Sequence, residues 1–243
     1  MRHSVVIPAF NEEKYLPRLL DSIEQAKAAY RHGPGAIEVV IADNASTDAT
    51  AAIALDRGCR VARVEKRRIA AARNGGARAA TGEVLCFVDA DTVRIDPRTF
   101  DVIDDVLATG RFVAGSTGLR LERVSLGIAV VFALCVPLAW LSRMDSGVVF
   151  CRREDWEAVG GYDESRPVAE DVAFLWALRK LGRARGQRLV RATSVKATGS
   201  TRKFDEHGEW HYFTMMPRVL LGMVFGSEDS RRLIDRYWYR PRR

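Results

Sequence analysis

Apolar residues recur along this chain in two periods, and the alternation of those periods predicts its architecture. Short apolar or β-branched runs at 4–8, 38–42, 60–64 and 84–88 read as strands. Between them, Leu16, Leu19, Leu20 and Ile23 repeat at helical spacing, and Ala-rich segments around 50–55 and 69–80 read as helices. Ser46 or Asp48 would cap the helix at 50. Further on, Phe100, Ile103 and Leu107 mark a helix over 97–107, and strands are expected at 112–115 and 147–151. A short helix is expected at 153–159, and Phe174, Leu175, Leu178 and Leu181 mark one over 170–181 that Gly182 would stop. Strand and helix alternate, which predicts an α/β fold: a mainly parallel, twisted sheet with right-handed crossovers, flanked by helices.

Residues 124–142 break this rhythm, because they contain no charged side chain and are bracketed by Arg123 and Arg143. That length reaches the threshold for a transmembrane candidate. A single crossing, however, would put residues 89–91 and everything after Arg143 on opposite sides of a bilayer. A helix packed in the core or lying at a membrane surface, bent at Pro137, is the expectation.

Charge adds a direction. The formal net charge is +7, and much of the excess falls at Arg231, Arg232 and 236–243. Residues 1–225 are therefore expected to form one domain, with 226–243 as a basic tail. A basic surplus suits nucleotides or phospholipid headgroups; nucleic acid is not an expected partner. Cys59, Cys86, Cys135 and Cys151 have no CxxC spacing, which indicates neither a zinc site nor a disulfide framework. A cytoplasmic setting, peripheral at the cytoplasmic membrane face, is the corresponding expectation.

The candidate chemistry gathers at the ends of the predicted elements. The five apolar residues at 84–88 suit a strand buried on both faces, and they run into Asp89 and Asp91. In open α/β sheets ligands bind beyond the carboxyl ends of the strands. Two such close carboxylates repel unless a cation compensates, and Mg2+ commonly takes one or two carboxylates plus substrate phosphates. A solvated turn is the plainer alternative. Glu170 and Asp171 open a predicted helix, where acids also serve as caps and dipole partners. Arg202 and Lys203, in a hydroxyl-rich stretch, would suit phosphate or simply be solvated. His207 and His211, four apart, would offer a further metal ligand or be ordinary histidines.

Together the motifs stand in an order: Val6-Ile7-Pro8-Ala9-Phe10-Asn11-Glu12-Glu13, Asp43-Asn44-Ala45-Ser46-Thr47-Asp48, Ala72-Arg73-Asn74-Gly75-Gly76, Asp89-Ala90-Asp91, Gly160-Gly161-Tyr162 and Glu170-Asp171. That order, over about residues 4–204, resembles the family 2 glycosyltransferases. The resemblance implies a GT-A fold and inverting sugar transfer from a nucleotide-sugar, with a divalent metal, Mg2+ or Mn2+. It places Pro8, Phe10 and Glu12 beside the nucleoside, and Asp43 on a base that is uracil or guanine, so the donor would be a UDP- or GDP-sugar. Arg73 would approach the nucleotide, Asp89 would face the ribose or metal, and Asp91 would ligate the metal. Asp171 matches the catalytic base, Glu170 would orient the acceptor, and Arg202 and Lys203 would help hold the diphosphate. The Gln-x-x-Arg-Trp signature of processive members is absent, which implies non-processive transfer; the acceptor is open and lipid-linkage is one option. The alternatives are a sugar-nucleotide nucleotidyltransferase, whose Gly-rich basic loop is missing after residue 8, and a non-catalytic nucleotide-binding or membrane-docking module.

Overall fold

The computed structural model describes residues 1–211, 213 and 215, and only the backbone of 135, 136, 138 and 139. The basic tail at 226–243 and the domain limit at 225 lie outside the described residues. Among the described residues, eight strands form one sheet in the order β3-β2-β1-β4-β7-β6-β8-β5. They are β1 (His3–Ala9), β2 (Ile37–Asp43), β3 (Arg60–Arg63), β4 (Val84–Phe87), β5 (Thr92–Arg94), β6 (Phe112–Leu121), β7 (Val149–Arg152) and β8 (Arg188–Gly199). The α-helices delimited among the described residues are α1 (Leu16–Ala29), α2 (Thr50–Asp56), α3 (Ile69–Ala79), α4 (Thr99–Ala108), α5 (Leu126–Ser142), α6 (Arg153–Ala158), α7 (Glu170–Ala184) and α8 (Arg202–His207).

The mainly parallel α/β sheet is as expected. Strands β3, β2, β1 and β4 are mutually parallel, β7 is antiparallel to both β4 and β6, and β6 runs parallel to β8. Only β7 and the short edge strand β5 oppose the rest. Within β1, Val5 and Ile7 join the cluster with Leu16, Leu19, Phe100 and Ile103 from α1 and α4, while Val6 joins that of α3 and α7 with Ala70, Ala77, Phe174 and Leu178. Successive strand residues point to opposite faces, so a strand apolar at every position is one covered by helices on both sides.

Beneath the amino-terminal ends of the strands is a buried polar network. His3 Nε2 lies 2.9 Å from Asp104 Oδ1, the Tyr30 hydroxyl donates to Asp104 Oδ2, and Cys86 Sγ is 3.6 Å from His3 Nδ1. Burial would raise the Asp104 carboxyl, but the hydrogen bonds from His3 and Tyr30 hold it below its ordinary value. Burial drives the Cys86 thiol far up, which keeps it protonated and inert as a nucleophile.

Two local expectations are corrected. Ala49, not Ser46 or Asp48, is the N-cap of α2, although the Asp48 carboxylate accepts the Thr50 N–H at 2.9 Å. Helix α7 continues past Gly182 to Ala184 and turns at Gly186, whose φ is +70°. Gly182 is needed instead for contact, since a Cβ there would meet Val113 at 2.6 Å. Helix α5 packs on the domain by one side only. Ile128 and Val131 pack on Phe204, while Leu134, Trp140 and Leu141 remain 59%, 70% and 73% exposed. No helix among the described residues is long and apolar enough to cross a membrane.

Candidate functional site

The order β3-β2-β1-β4 reverses direction between β1 and β4, and crevices at such points, beyond the carboxyl ends of the strands, hold ligands in open α/β sheets. The motifs from six separate stretches of chain converge there. After β1 and β2, two loops are zipped together: Asn11 N–H donates to Ser46 Oγ at 3.1 Å, Thr47 N–H to Asn11 Oδ1 at 2.8 Å, and Glu12 N–H to Thr50 Oγ1 at 2.8 Å. Asn11 and Ala45 adopt left-handed φ values of 53° and 61° to make these turns. Pro8 is buried inside β1 beside Ala42. Asp43, buried at the tip of β2, accepts the Ser46 N–H at 3.1 Å through Oδ1. Asn44 anchors the neighbouring loop by donating to the Val64 and Lys66 carbonyls, both at 2.8 Å. That loop carries Arg67, whose guanidinium lies 4.2 Å from the centre of the Phe10 ring. Sequence reasoning missed Arg67; its only signal was the basic run Lys66-Arg67-Arg68 ahead of α3.

Two arginines organise the carboxylates. Arg73, projecting from α3 and buried, donates to Glu170 Oε1 and to Asp89 Oδ1, the latter at 2.7 Å. Burial opposes its charge, but Asp89, Tyr162 and Glu170 raise its pKa well above the ordinary value, so it stays a cation. Burial raises the Glu170 carboxyl, which Arg73 only partly offsets. Arg202, at the start of α8 and equally buried, donates to Glu12 and to Asp91 Oδ2, the latter at 3.1 Å. Lys203, next on the same turn, is half-buried.

Asp171 differs from its neighbour. Its carboxylate is half-exposed, accepts only the adjacent Val172 N–H at 2.8 Å, and forms no ion pair among the described residues. The preceding Ala169 holds a left-handed φ of 57°, which starts α7 abruptly at the two acids. The glycine motifs set this helix against α3. Asn74 donates to the Tyr162 carbonyl and accepts the Tyr162 N–H, both at 2.8 Å, while Gly161 at φ +75° has no room for a Cβ against Asn74 and Trp156. Tyr162 then stacks on Phe174 of α7, with ring centres 4.1 Å apart.

The donor set bears on a metal. Asp91 is 28% exposed with one oxygen on Arg202, and Asp89 is 51% exposed with one oxygen on Arg73. Among the described residues no group of three His, Cys, Asp or Glu side chains is placed to cage an ion. His207 and His211 face each other with ring centres 5.6 Å apart, and His211 Nδ1 is 2.6 Å from the Gly208 carbonyl. These residues fit an ion completed by substrate phosphates and water, the usual Mg2+ arrangement, and do not form an all-protein cage.

Residues 4–114 match the profile of Glycosyl transferase family 2. The match is one of similarity to that family, over a little less than half of the chain. The resemblance read from the motifs is thereby borne out over the stretch holding Pro8 to Asp91, and Glu170, Asp171 and Arg202 lie beyond it. Among curated relatives, the succinoglycan biosynthesis protein ExoA of Rhizobium meliloti is 28% identical over 202 residues, 73% of this chain and 58% of that protein. Among solved structures, a mannosyltransferase from Pyrobaculum calidifontis in complex with GDP-Man and Mn2+ superposes with a TM-score of 0.69 at 22% identity, covering 90% of this chain and 61% of that one. S. aureus TarS 1–349 in complex with UDP-GlcNAc gives 0.60 at 21%, covering 82% and 58%. These likenesses establish the GT-A fold, and the chain spans less than two thirds of each relative.

Proposed function

We propose that this chain catalyses inverting, non-processive transfer of a sugar from a nucleoside-diphosphate donor, UDP- or GDP-linked, to an acceptor hydroxyl. The observation that carries the reading is the division of labour at the start of α7. Glu170 is buried on Arg73, which also holds Asp89, whereas Asp171, one residue on, is half-exposed. In a single in-line displacement Asp171 takes the acceptor O–H proton while that oxygen attacks the anomeric carbon. The bond from that carbon to the diphosphate breaks, its electron pair leaves with the phosphate, and the configuration inverts. A divalent ion, Mg2+ or Mn2+, held by Asp91 and Asp89 would stabilise the charge of the departing diphosphate.

Asp43 receives the base through its carboxylate, Phe10 and Pro8 flank the nucleoside, and Glu12 acts by positioning Arg202, which with Lys203 faces the diphosphate. Arg73 positions Asp89 and Glu170. The acceptor is lipid-linked, brought to the cleft by contact of α5 with the cytoplasmic membrane face. Its uncharged, outward-facing surface supports that contact. A thermal-shift panel of UDP-, GDP- and dTDP-sugars with and without Mn2+ tests the donor half, because ligands that bind only the native state raise its melting temperature. No shift with any donor would defeat the reading.

A further inference from the structure

The carboxyl end of α5 does not face the cleft. Trp140 and Leu141 from its last turn, with Arg143 just beyond, form one wall of a groove of about 660 Å³. The other wall comes from the amino-terminal halves of β6 and β8: Phe112, Arg188, Val190, Arg191 and Thr193. Of its three guanidinium groups, Arg191 is neutralised by Asp145, whose Oδ2 it meets at 2.7 Å. Arg143 and Arg188 are exposed and form no ion pair among the described residues; Arg188 lies 5.8 Å from the centre of the Phe112 ring. Two uncompensated cations thus stand beside Trp140 and Leu141, at the end of a helix with no charge of its own.

We infer that this groove takes the phosphate of an anionic phospholipid while the outer face of α5 lies in the bilayer interface. The inference rests on the membrane contact proposed for α5 and adds where the headgroup sits. Charge complementarity selects the occupant. An apolar protein partner would leave both guanidinium groups buried without counter-ions, whereas an anionic leaflet supplies acyl chains to the helix and phosphates to the arginines in one layer. A cation after a helix is also favoured by the helix dipole, which accounts for Arg143 at its left-handed φ of 61°. It does not account for Arg188, which comes from β8 across the groove.

Co-sedimentation with phosphatidylcholine vesicles, with and without phosphatidylglycerol, tests this. The wild-type chain should bind the phosphatidylglycerol vesicles more tightly, and Arg143→Gln/Arg188→Gln should weaken that binding roughly 30-fold. Arg188→Gln alone, which leaves the end of α5 intact, should lose about fivefold. A charge-matched control, Arg57→Gln/Arg78→Gln at α2 and α3, should lose much less. Equal losses in the groove and control variants would reduce the effect to general charge and overturn the site, as would a groove variant that binds like wild type. Wild-type protein that binds neither vesicle would overturn the α5 contact itself. Donor-induced thermal shifts on the same variants keep the two readings apart, because they should be unaffected by the groove.

Discussion

The Arg202 guanidinium donates to both carboxylate oxygens of Glu12, at 2.7 and 3.0 Å, across 190 residues of chain. It reaches Asp91 as well, packs 4.5 Å from the centre of the Tyr15 ring, and leaves its buried Nε with no partner among the described residues. One side chain therefore latches α8 to the loop after β1 and to the tip of β4. Arg202→Ala would strand two partly buried carboxylates, and removing one member of such a buried cluster costs about 3 kcal/mol. Urea unfolding should show that loss, and calorimetry should show weakened donor binding. Arg202→Lys should recover part of the stability but not the bidentate geometry. An alanine variant with wild-type stability and donor affinity would remove Arg202 from the site.

Asp91→Asn tests the metal. Glu12 still balances Arg202 in that variant, so the fold should persist. What should vanish is the Mn2+-dependent part of the donor-induced thermal shift. Donor binding and transfer that proceed unchanged in excess chelator would end the proposed role of the ion.

Asp171→Asn preserves shape and the hydrogen bond to the Val172 N–H but cannot take a proton at neutral pH. Donor affinity should hold while kcat falls on the order of 10²–10⁴-fold, the usual range for a lost general base. Titration of donor beside a transfer assay measures both. Transfer at the wild-type rate would make Asp171 a helix-terminal residue only.

The His3–Asp104–Tyr30 network predicts a pH-dependent stability. The folded Asp104 carboxyl is held below its ordinary value, so in acid the unfolded chain binds more protons than the folded one. Its contribution is fully present above the unfolded carboxyl value near ~4 and is lost as pH falls through the lower folded value. Asp104→Asn should cost about 2 kcal/mol at neutral pH, and the gap from wild type should narrow as the solution is acidified below that value. Urea midpoints followed by circular dichroism between neutral and acid pH would measure it; a gap constant across that range would rule out the linkage.

The expected helices and most strands appear because their signals are local: Leu16, Leu19 and Ile23 can share a face only at helical spacing, and Val84 to Phe87 can all be buried only in a strand covered on both sides. Strand β5 has three residues, too few to carry a period, and neither it nor the short α8 was anticipated. The direction of β7 was equally silent, since alternation reads the same in both senses.

The sequence by itself determined that Asp43, Asp89, Asp91 and Glu170-Asp171 would fall at element ends, because each follows an apolar run or opens a helical one. Their order resembles that of the family whose profile residues 4–114 match. Only the tertiary structure decided which carboxylate meets which cation. Glu170 and Asp171 are adjacent acids in the sequence, yet Arg73 emerges from α3 on the side that buries the first and leaves the second open. Arg202 reaches Glu12 only because β8, hydrogen-bonded between β6 and β5, returns the late chain to the site. Pairing over 97 or 190 residues depends on where the sheet brings side chains within about 3 Å of each other, and no local pattern encodes that distance.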